Sequence, residues 1–192
     1  AEARTEAANE NIPLADLTTA DWTDISALVL SPGIPLTHPH PHKVVDCARD
    51  AQRPVIGDIE LLAENNDGAA LIGITGTNGK STTSALIHHV LQTAGVAVQI
   101  GGNFGPPVLG LDSASTQDTI ILELSSYQLD LTQSATFDIA VLLNVTPDHL
   151  DRHGDMAGYV AAKKRIFRAR TDADRQIAVI GMVISLGILI DN

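Results

Sequence analysis

The side chains best suited by type and spacing to do chemistry lie between Leu71 and Ser84, in the run Leu-Ile-Gly-Ile-Thr-Gly-Thr-Asn-Gly-Lys-Ser-Thr-Thr-Ser. A short apolar stretch (Leu71, Ile72, Ile74) leads into Gly76, Thr77, Asn78, Gly79, Lys80, Ser81 and Thr82, and a helical apolar pattern (Ala85, Leu86, Val90, Leu91) follows. Strand, tight loop and helix in that order make a phosphate-binding loop. Glycines let successive N–H groups turn toward phosphate oxygens, and the helix N-terminus adds positive potential. Lys80 is placed to reach outer phosphates and Ser81 to ligate Mg²⁺. The common pattern has glycine five residues before Gly79, where this chain has Ile74, so the loop is a variant.

Further along, Thr119–Glu123 is a strand-forming run that ends in a carboxylate. In phosphate-loop nucleoside triphosphatases an acid at the end of a neighbouring strand holds Mg²⁺, directly or through water, and with the loop upstream Glu123 reads that way. Phe137–Leu143 is another aliphatic run, and it ends at Asn144-Val145-Thr146-Pro147-Asp148-His149-Leu150-Asp151-Arg152-His153. His149 is read as a metal or phosphate contact. Asp151, Arg152 and His153 read individually as a solvated loop. Lys163 and Lys164 lie within the helical pattern Met156–Arg168, where two solvated lysines on a helix face are the ordinary reading. His38, His40 and His42 alternate with Pro39 and Pro41. That segment is extended and stiff, no cysteine or carboxylate cluster completes a site, and structural or helix-capping roles are expected there.

The elements that must position these groups are those of an α/β chain. The formal net charge of −11 argues against a nucleic-acid partner, because such binding is dominated by Lys and Arg neutralising phosphates. A single nucleotide remains compatible, since backbone amides, one lysine and Mg²⁺ suffice for it. Aromatic residues are 3% of the chain, so the core must be aliphatic. The one cysteine, Cys47, sits in a helical pattern and reads as a packing residue; with no secretory signal at Ala1, a cytoplasmic setting is expected. The apolar run Ile177–Ile190 is too short for a bilayer span of about twenty residues and reads as a buried strand or as an abnormal terminus.

In chain order, residues 1 to about 23 form a poorly specified entry segment. Ile25–Leu30 is predicted as a buried parallel strand, stopped by Ser31-Pro32-Gly33-Ile34-Pro35 at the sheet edge where ligands bind. Val44–Ala51 and Asp58–Ala63 are predicted helices around a strand at Pro54–Ile56, and the polar linker Glu64–Gly68 marks a domain boundary. Beyond it, strands at Ala69–Thr75, Val96–Ile100, Thr119–Glu123 and Phe137–Leu143 alternate with helices at Lys80–Thr93, from Ser125 on, and at Met156–Arg168. This alternation predicts a parallel sheet covered on both faces.

Six stretches together resemble the Mur ligases, the ATP-dependent amide ligases of peptidoglycan synthesis: Ser31–Pro39 (SPGIPLTHP), Gly76–Thr82 (GTNGKST), Gly101–Gly105 (GGNFG), Glu123–Leu129 (ELSSYQL), Asn144–Arg152 (NVTPDHLDR) and Tyr159–Ile166 (YVAAKKRI). SPGIPLTHP favours the member that joins D-glutamate to UDP-N-acetylmuramoyl-L-alanine. The resemblance implies an incomplete Rossmann-like domain over residues 1–65 that binds the UDP-linked substrate. It also implies an incomplete phosphate-loop ATP-binding domain over 66–192, with the D-glutamate domain absent. The chain is thus expected to be a monomeric fragment, inactive alone; the alternative readings of the loop are a stand-alone phosphate-loop ATPase or kinase and a non-catalytic nucleotide-binding module. It further implies that Lys163 is carbamylated by CO₂ and, with His149, holds a second Mg²⁺, while Ser81 and Glu123 hold the first. Ser31, Pro32, Gly33, Thr37, Asn103 and Ser125 are implied on the substrate side. The family's loop has the shorter glycine spacing, which accounts for Ile74. Residues 182–192 do not resemble it.

Overall fold

Parallel pairing needs a crossover between strands, which the intervening helices supply, and in the computed structural model, which describes residues 2–112, 114–168 and 176–181, the described strands all pair in parallel. The chain opens with helix α1 (Glu2–Asn9). Strand β1 (Leu28–Val29), helix α2 (Lys43–Asp50) and strand β2 (Val55–Ile56) then form a two-stranded parallel unit. Helix α3 (Asp58–Glu64) leads to β3 (Ala70–Thr75), α4 (Lys80–Thr93) and β4 (Val98–Gly102), followed by β5 (Thr119–Glu123), α5 (Ser126–Asp130) and β6 (Ile139–Leu142). The described part ends with α6 (Leu150–His153), α7 (Met156–Lys164) and β7 (Ile177–Ile180). The larger sheet has the order β4-β5-β3-β6-β7, so the phosphate-loop strand β3 is central.

Side chains alternate along these strands, and the two faces bury different layers. Leu71, Ile120 and Leu122 pack with Ile59 of α3, Leu129 of α5 and Ile166 after α7. Ile72, Ile74, Ile121 and Val141 pack on the opposite face with Ile87 and Leu91 of α4. The α/β class and the doubly covered parallel sheet therefore follow the sequence reading, and the core is aliphatic apart from Phe137 and Tyr159.

Several boundaries differ from expectation. The entry segment includes α1, an Ala/Glu-rich helix that rests on intrinsic propensity rather than on an apolar face. Strand β4 starts and ends two residues later than Val96–Ile100. The Val96 N–H instead closes the end of α4 on the Leu91 carbonyl, while Gly101 and Gly102 continue the ladder against Leu122 and Glu123. The helix expected to Arg168 tightens into a 3₁₀ turn at Arg165–Phe167. β7 is not a buried strand: Ile177 and Ile180 are 59% and 55% exposed, and among the described residues β7 is the edge strand, paired with β6 alone. The rest of that apolar run, residues 182–192, lies outside the described residues. Packing also ties α3 to the larger sheet, since Ile59, Leu62 and Ala63 join its core. Glu60, itself buried, accepts the N–H groups of Gln133, Ser134 and Ala135.

Candidate active site

The phosphate loop joins β3 to α4 at the C-terminal edge of the sheet. Gly79 has φ +83°, a left-handed conformation that lets the loop turn into the first residue of α4, and side-chain-bearing residues adopt it rarely. Lys80 folds back over the loop, its Nζ donating to the carbonyls of Gly76 (3.0 Å) and Thr77 (3.1 Å). Ser81 and Thr82 lie exposed on the first turn of α4.

A second lysine reaches the same carbonyl from the other side. Lys163 is 2% exposed, and its Nζ donates to Gly76 O (3.0 Å) and Thr75 Oγ1 (3.3 Å), so the two solvated lysines of the ordinary reading are not what α7 presents. Only Lys164 is exposed. Burial disfavours the Lys163 ammonium, the neighbouring Lys80 cation disfavours it further, and the Asp148 carboxylate only partly offsets this; its pKa is lowered to about 7. An amine in that state is a nucleophile near neutral pH.

Glu123 ends β5 at the same edge of the sheet, in register with Ile74 of β3, two residues before Gly76. It is 1% exposed; Oε1 accepts from Asn103 Nδ2 (2.8 Å), while Oε2 is buried without a hydrogen-bond partner. An orphaned carboxylate oxygen at the mouth of a phosphate loop fits a hard divalent cation, which takes oxygen ligands. Asn103 is brought there by Gly102. With φ +104°, a Cβ at Gly102 would stand 2.4 Å from the Glu123 carbonyl oxygen, so only glycine lets β4 close on β5 at this point.

The segment after β6 supplies the site's remaining wall. Asn144 pairs with the Asn78 backbone in both directions, donating from Nδ2 to the carbonyl (3.0 Å) and accepting the N–H at Oδ1 (2.9 Å). Thr146 N donates to Thr77 Oγ1 (3.0 Å), which also lies 3.0 Å from the Tyr159 hydroxyl. His149 has φ +51° and starts α6; its Nε2 stands 3.4 Å from Asp148 Oδ2 and its ring tilts against Tyr127 at 4.8 Å. The carboxylate that His149 contacts also acts electrostatically on Lys163, so Asp148 is the group common to both.

Two residues read as solvated loop are not. Arg152 donates to the Pro32 and Gly33 carbonyls and covers the Tyr127 ring. His153 is buried, with Nε2 2.9 Å from Ser126 Oγ and Nδ1 3.9 Å from Asp130 Oδ2. A four-residue helix against α5 and α7 turns these side chains inward, which the local sequence does not reveal. Burial holds the His153 pKa below its ordinary value, against the opposing pull of Asp130. An unfolded chain then takes up a proton before the folded one as pH falls through about 6.5, so stability drops below that pH. The expected result is a thermal midpoint that falls between pH 6.5 and 5 in the native protein and falls less in His153→Gln, measured by circular dichroism.

Among the described contacts, none of the remaining expected residues bonds to either lysine. Ser31, Pro32, Gly33 and Thr37 form the loop leaving β1, where Ile34 N bonds Ser31 O and Thr37 Oγ1 lies 3.1 Å from His38 Nδ1. Ser125 caps α5 in a reciprocal capping box with Gln128. His42 caps α2 through Val44 N, the structural role expected of that histidine run.

Residues 74–184 match the model of the Mur ligase middle domain. The chain belongs to the Mur ligase family. It is 52% identical over 187 residues to the UDP-N-acetylmuramoylalanine--D-glutamate ligase of Caulobacter sp. (strain K31), covering 94% of this chain and 39% of that protein. It is 51% identical over 170 residues to the ligase of the same name from Rhodospirillum rubrum, covering 86% of this chain and 36% of that protein. The chain thus spans less than two fifths of the length of these Mur ligases. Among solved structures, the MurF ligase of Thermotoga maritima in complex with ADP matches 87% of this chain and 47% of its own, at 20% identity and a TM-score of 0.49.

Proposed function

We propose that this chain carries the ATP site and part of the UDP-substrate site of a ligase that adds D-glutamate to UDP-N-acetylmuramoyl-L-alanine in peptidoglycan synthesis. The observation that carries the reading is the convergence of Lys80 and Lys163 on the Gly76 carbonyl, with the unpartnered Glu123 oxygen at the same sheet edge. The names of relatives about half identical to it supply the substrates. On this reading residues 1–65 contribute to the UDP-linked side and 66–192 to the ATP side, with α3 packed against the latter.

The substrate's terminal carboxylate attacks the γ-phosphorus of ATP and ADP leaves, giving an acyl phosphate. The amine of D-glutamate then adds to the acyl carbon, loses a proton and expels phosphate, leaving the amide. Lys80 swings from the loop carbonyls to the β- and γ-phosphates, where negative charge moves during transfer. Ser81 and Glu123 would hold one Mg²⁺, and His149 with Lys163, once carbamylated by CO₂, would hold a second; a divalent cation there would supply positive charge to offset that of the phosphoryl oxygens. Gly76, Thr77, Asn78, Gly79 and Thr82 present the loop backbone to the phosphates, Asn103 orients Glu123, and Ser31, Pro32, Gly33, Thr37 and Ser125 face the UDP-linked substrate.

The test is phosphate release by the complete gene product that carries this chain. Release is expected only when ATP, UDP-N-acetylmuramoyl-L-alanine and D-glutamate are all present. Equal release without the two acceptor substrates identifies a simple ATPase and overturns the reading.

A further inference from the structure

One segment touches both candidate substrate loops. At its start, Asn144 and Thr146 hold the backbone of Asn78 and the hydroxyl of Thr77 in the phosphate loop. At its end, Arg152 spans two successive carbonyls of the loop that leaves β1, with Nη1 3.1 Å from Gly33 O and Nη2 3.3 Å from Pro32 O. The guanidinium is itself fixed, its carbon lying 4.6 Å from the centre of the Tyr127 ring, and that ring also packs against His149. Gly154 completes the contact: a Cβ there would stand 2.8 Å from His38 Nε2, so the Ser31–Pro39 loop and the residues after α6 meet closely.

We propose that Arg152 is a positioning residue that sets the backbone of the 31–37 loop relative to the phosphate loop, and so governs binding of the UDP-linked substrate without touching ATP. This rests on the substrate assignment above. The fork geometry matters because a planar guanidinium can serve two carbonyls at once while it stacks on an aromatic face. In a trans peptide the N–H lies opposite the preceding carbonyl. Anchoring Pro32 O therefore turns the Gly33 N–H away from Arg152. A lysine ammonium has neither the fork nor the flat face.

The experiment uses the complete gene product and its Arg152→Ala and Arg152→Lys variants. Charge-assisted hydrogen bonds imply a loss of about tenfold or more in Arg152→Ala, read as a raised KM for UDP-N-acetylmuramoyl-L-alanine. The KM for ATP is expected to stay within about twofold of the native value, and Arg152→Lys to recover little. A purely structural role would instead lower the thermal midpoint and the active fraction while leaving the KM values alone. An unchanged KM for the UDP-linked substrate, an equal rise in both KM values, or full recovery in Arg152→Lys overturns the proposal. Amide hydrogen exchange supplies a readout that does not depend on turnover. Faster exchange at residues 31–37 in Arg152→Lys, with residues 76–82 unchanged, is expected, and unchanged exchange in both segments also overturns it. A native enzyme whose phosphate release ignores the UDP-linked substrate would defeat the substrate assignment instead, leaving the exchange result to decide the positioning role.

Discussion

Replacing Lys163 by alanine is expected to abolish ligation in the complete gene product, with a fall in turnover of about 10³-fold, the upper end for removing one transition-state contact. The variant should still fold, because neither acceptor that Lys163 leaves is stranded. Gly76 O keeps the Lys80 ammonium, and the Thr75 hydroxyl already donates to Leu124 O. What is lost is a buried amine that is half neutral near pH 7. Only a neutral amine can add to CO₂: its lone pair forms the N–C bond, a proton leaves the nitrogen, and the cation becomes an anion. Bicarbonate should therefore fail to rescue Lys163→Ala, while short carboxylic acids, which bring their own anion, should restore part of the activity. Full activity in the variant would remove Lys163 from the site.

The same burial makes a second measurement available. In the folded chain Lys163 loses its proton near pH 7, whereas an unfolded lysine keeps it to about 10.5. Between these values the unfolded state binds more protons, so folding is increasingly favoured as pH rises through that window, and the cost of the buried charge is fully present below it. In air free of CO₂, the native protein should gain thermal stability from pH 7 to 9, and Lys163→Met should not show this component.

How much of this could be read from residues alone depended on whether the signal was local. The phosphate loop was legible because its glycines, Lys80 and the flanking periodicity are contiguous, and α4 starts and ends where that pattern does. Thr119–Glu123 was legible for the same reason, and its final carboxylate stands on the expected edge. The burial of Lys163 was not: nothing in Ala-Ala-Lys-Lys distinguishes it from Lys164. What separates them is one helical step of about 100° against the β3 end of the sheet. Arg152 and His153 were misread because α6 is four residues long and carries no apolar period of its own. Asn144 and Thr146 belong to a stretch legible as a motif, but no role of their own was assigned to them, although polar residues immediately after a buried strand at the ligand edge have backbone to hold. The small first unit was placed from short runs between proline and glycine, but α3 packs across the linker that seemed to divide the chain, and no local pattern records that.

Read from β3 outward, these contacts form one continuous wall. The phosphate loop is pinned by Asn144 and Thr146, the same segment carries Asp148 and His149, and Arg152 at its end grips the loop after β1. A displacement of the β6–α6 connection would therefore move the phosphate loop and the loop after β1 together. On the proposed assignment, in-line transfer between two bound substrates would need such shared positioning, because small errors in the distance between reacting atoms are costly in rate.

Glu123→Gln is expected to separate stability from activity at a single atom. The substitution keeps the shape of the side chain, and its carbonyl oxygen can still accept from Asn103 Nδ2. It removes a negative charge from a position 1% exposed, where the second carboxylate oxygen has no hydrogen-bond partner. A buried charge without full pairing costs stability, so in the absence of metal and nucleotide Glu123→Gln should melt no lower than the native protein and is expected to melt higher. The oxygen that makes the native side chain costly when free is the one suited to a divalent cation. Added Mg²⁺ and ATP should therefore raise the thermal midpoint of the native protein by mass action, and that rise should be lost in Glu123→Gln. Turnover should fall by about 10²–10³-fold in the complete gene product, in line with removal of one preorganised electrostatic contact. Manganese, a stronger binder of the same donor set, should recover only part of it. A Glu123→Gln protein that melts lower than native and keeps its Mg²⁺-dependent stabilisation would show the carboxylate to be a structural partner of Asn103 and would move the metal site elsewhere.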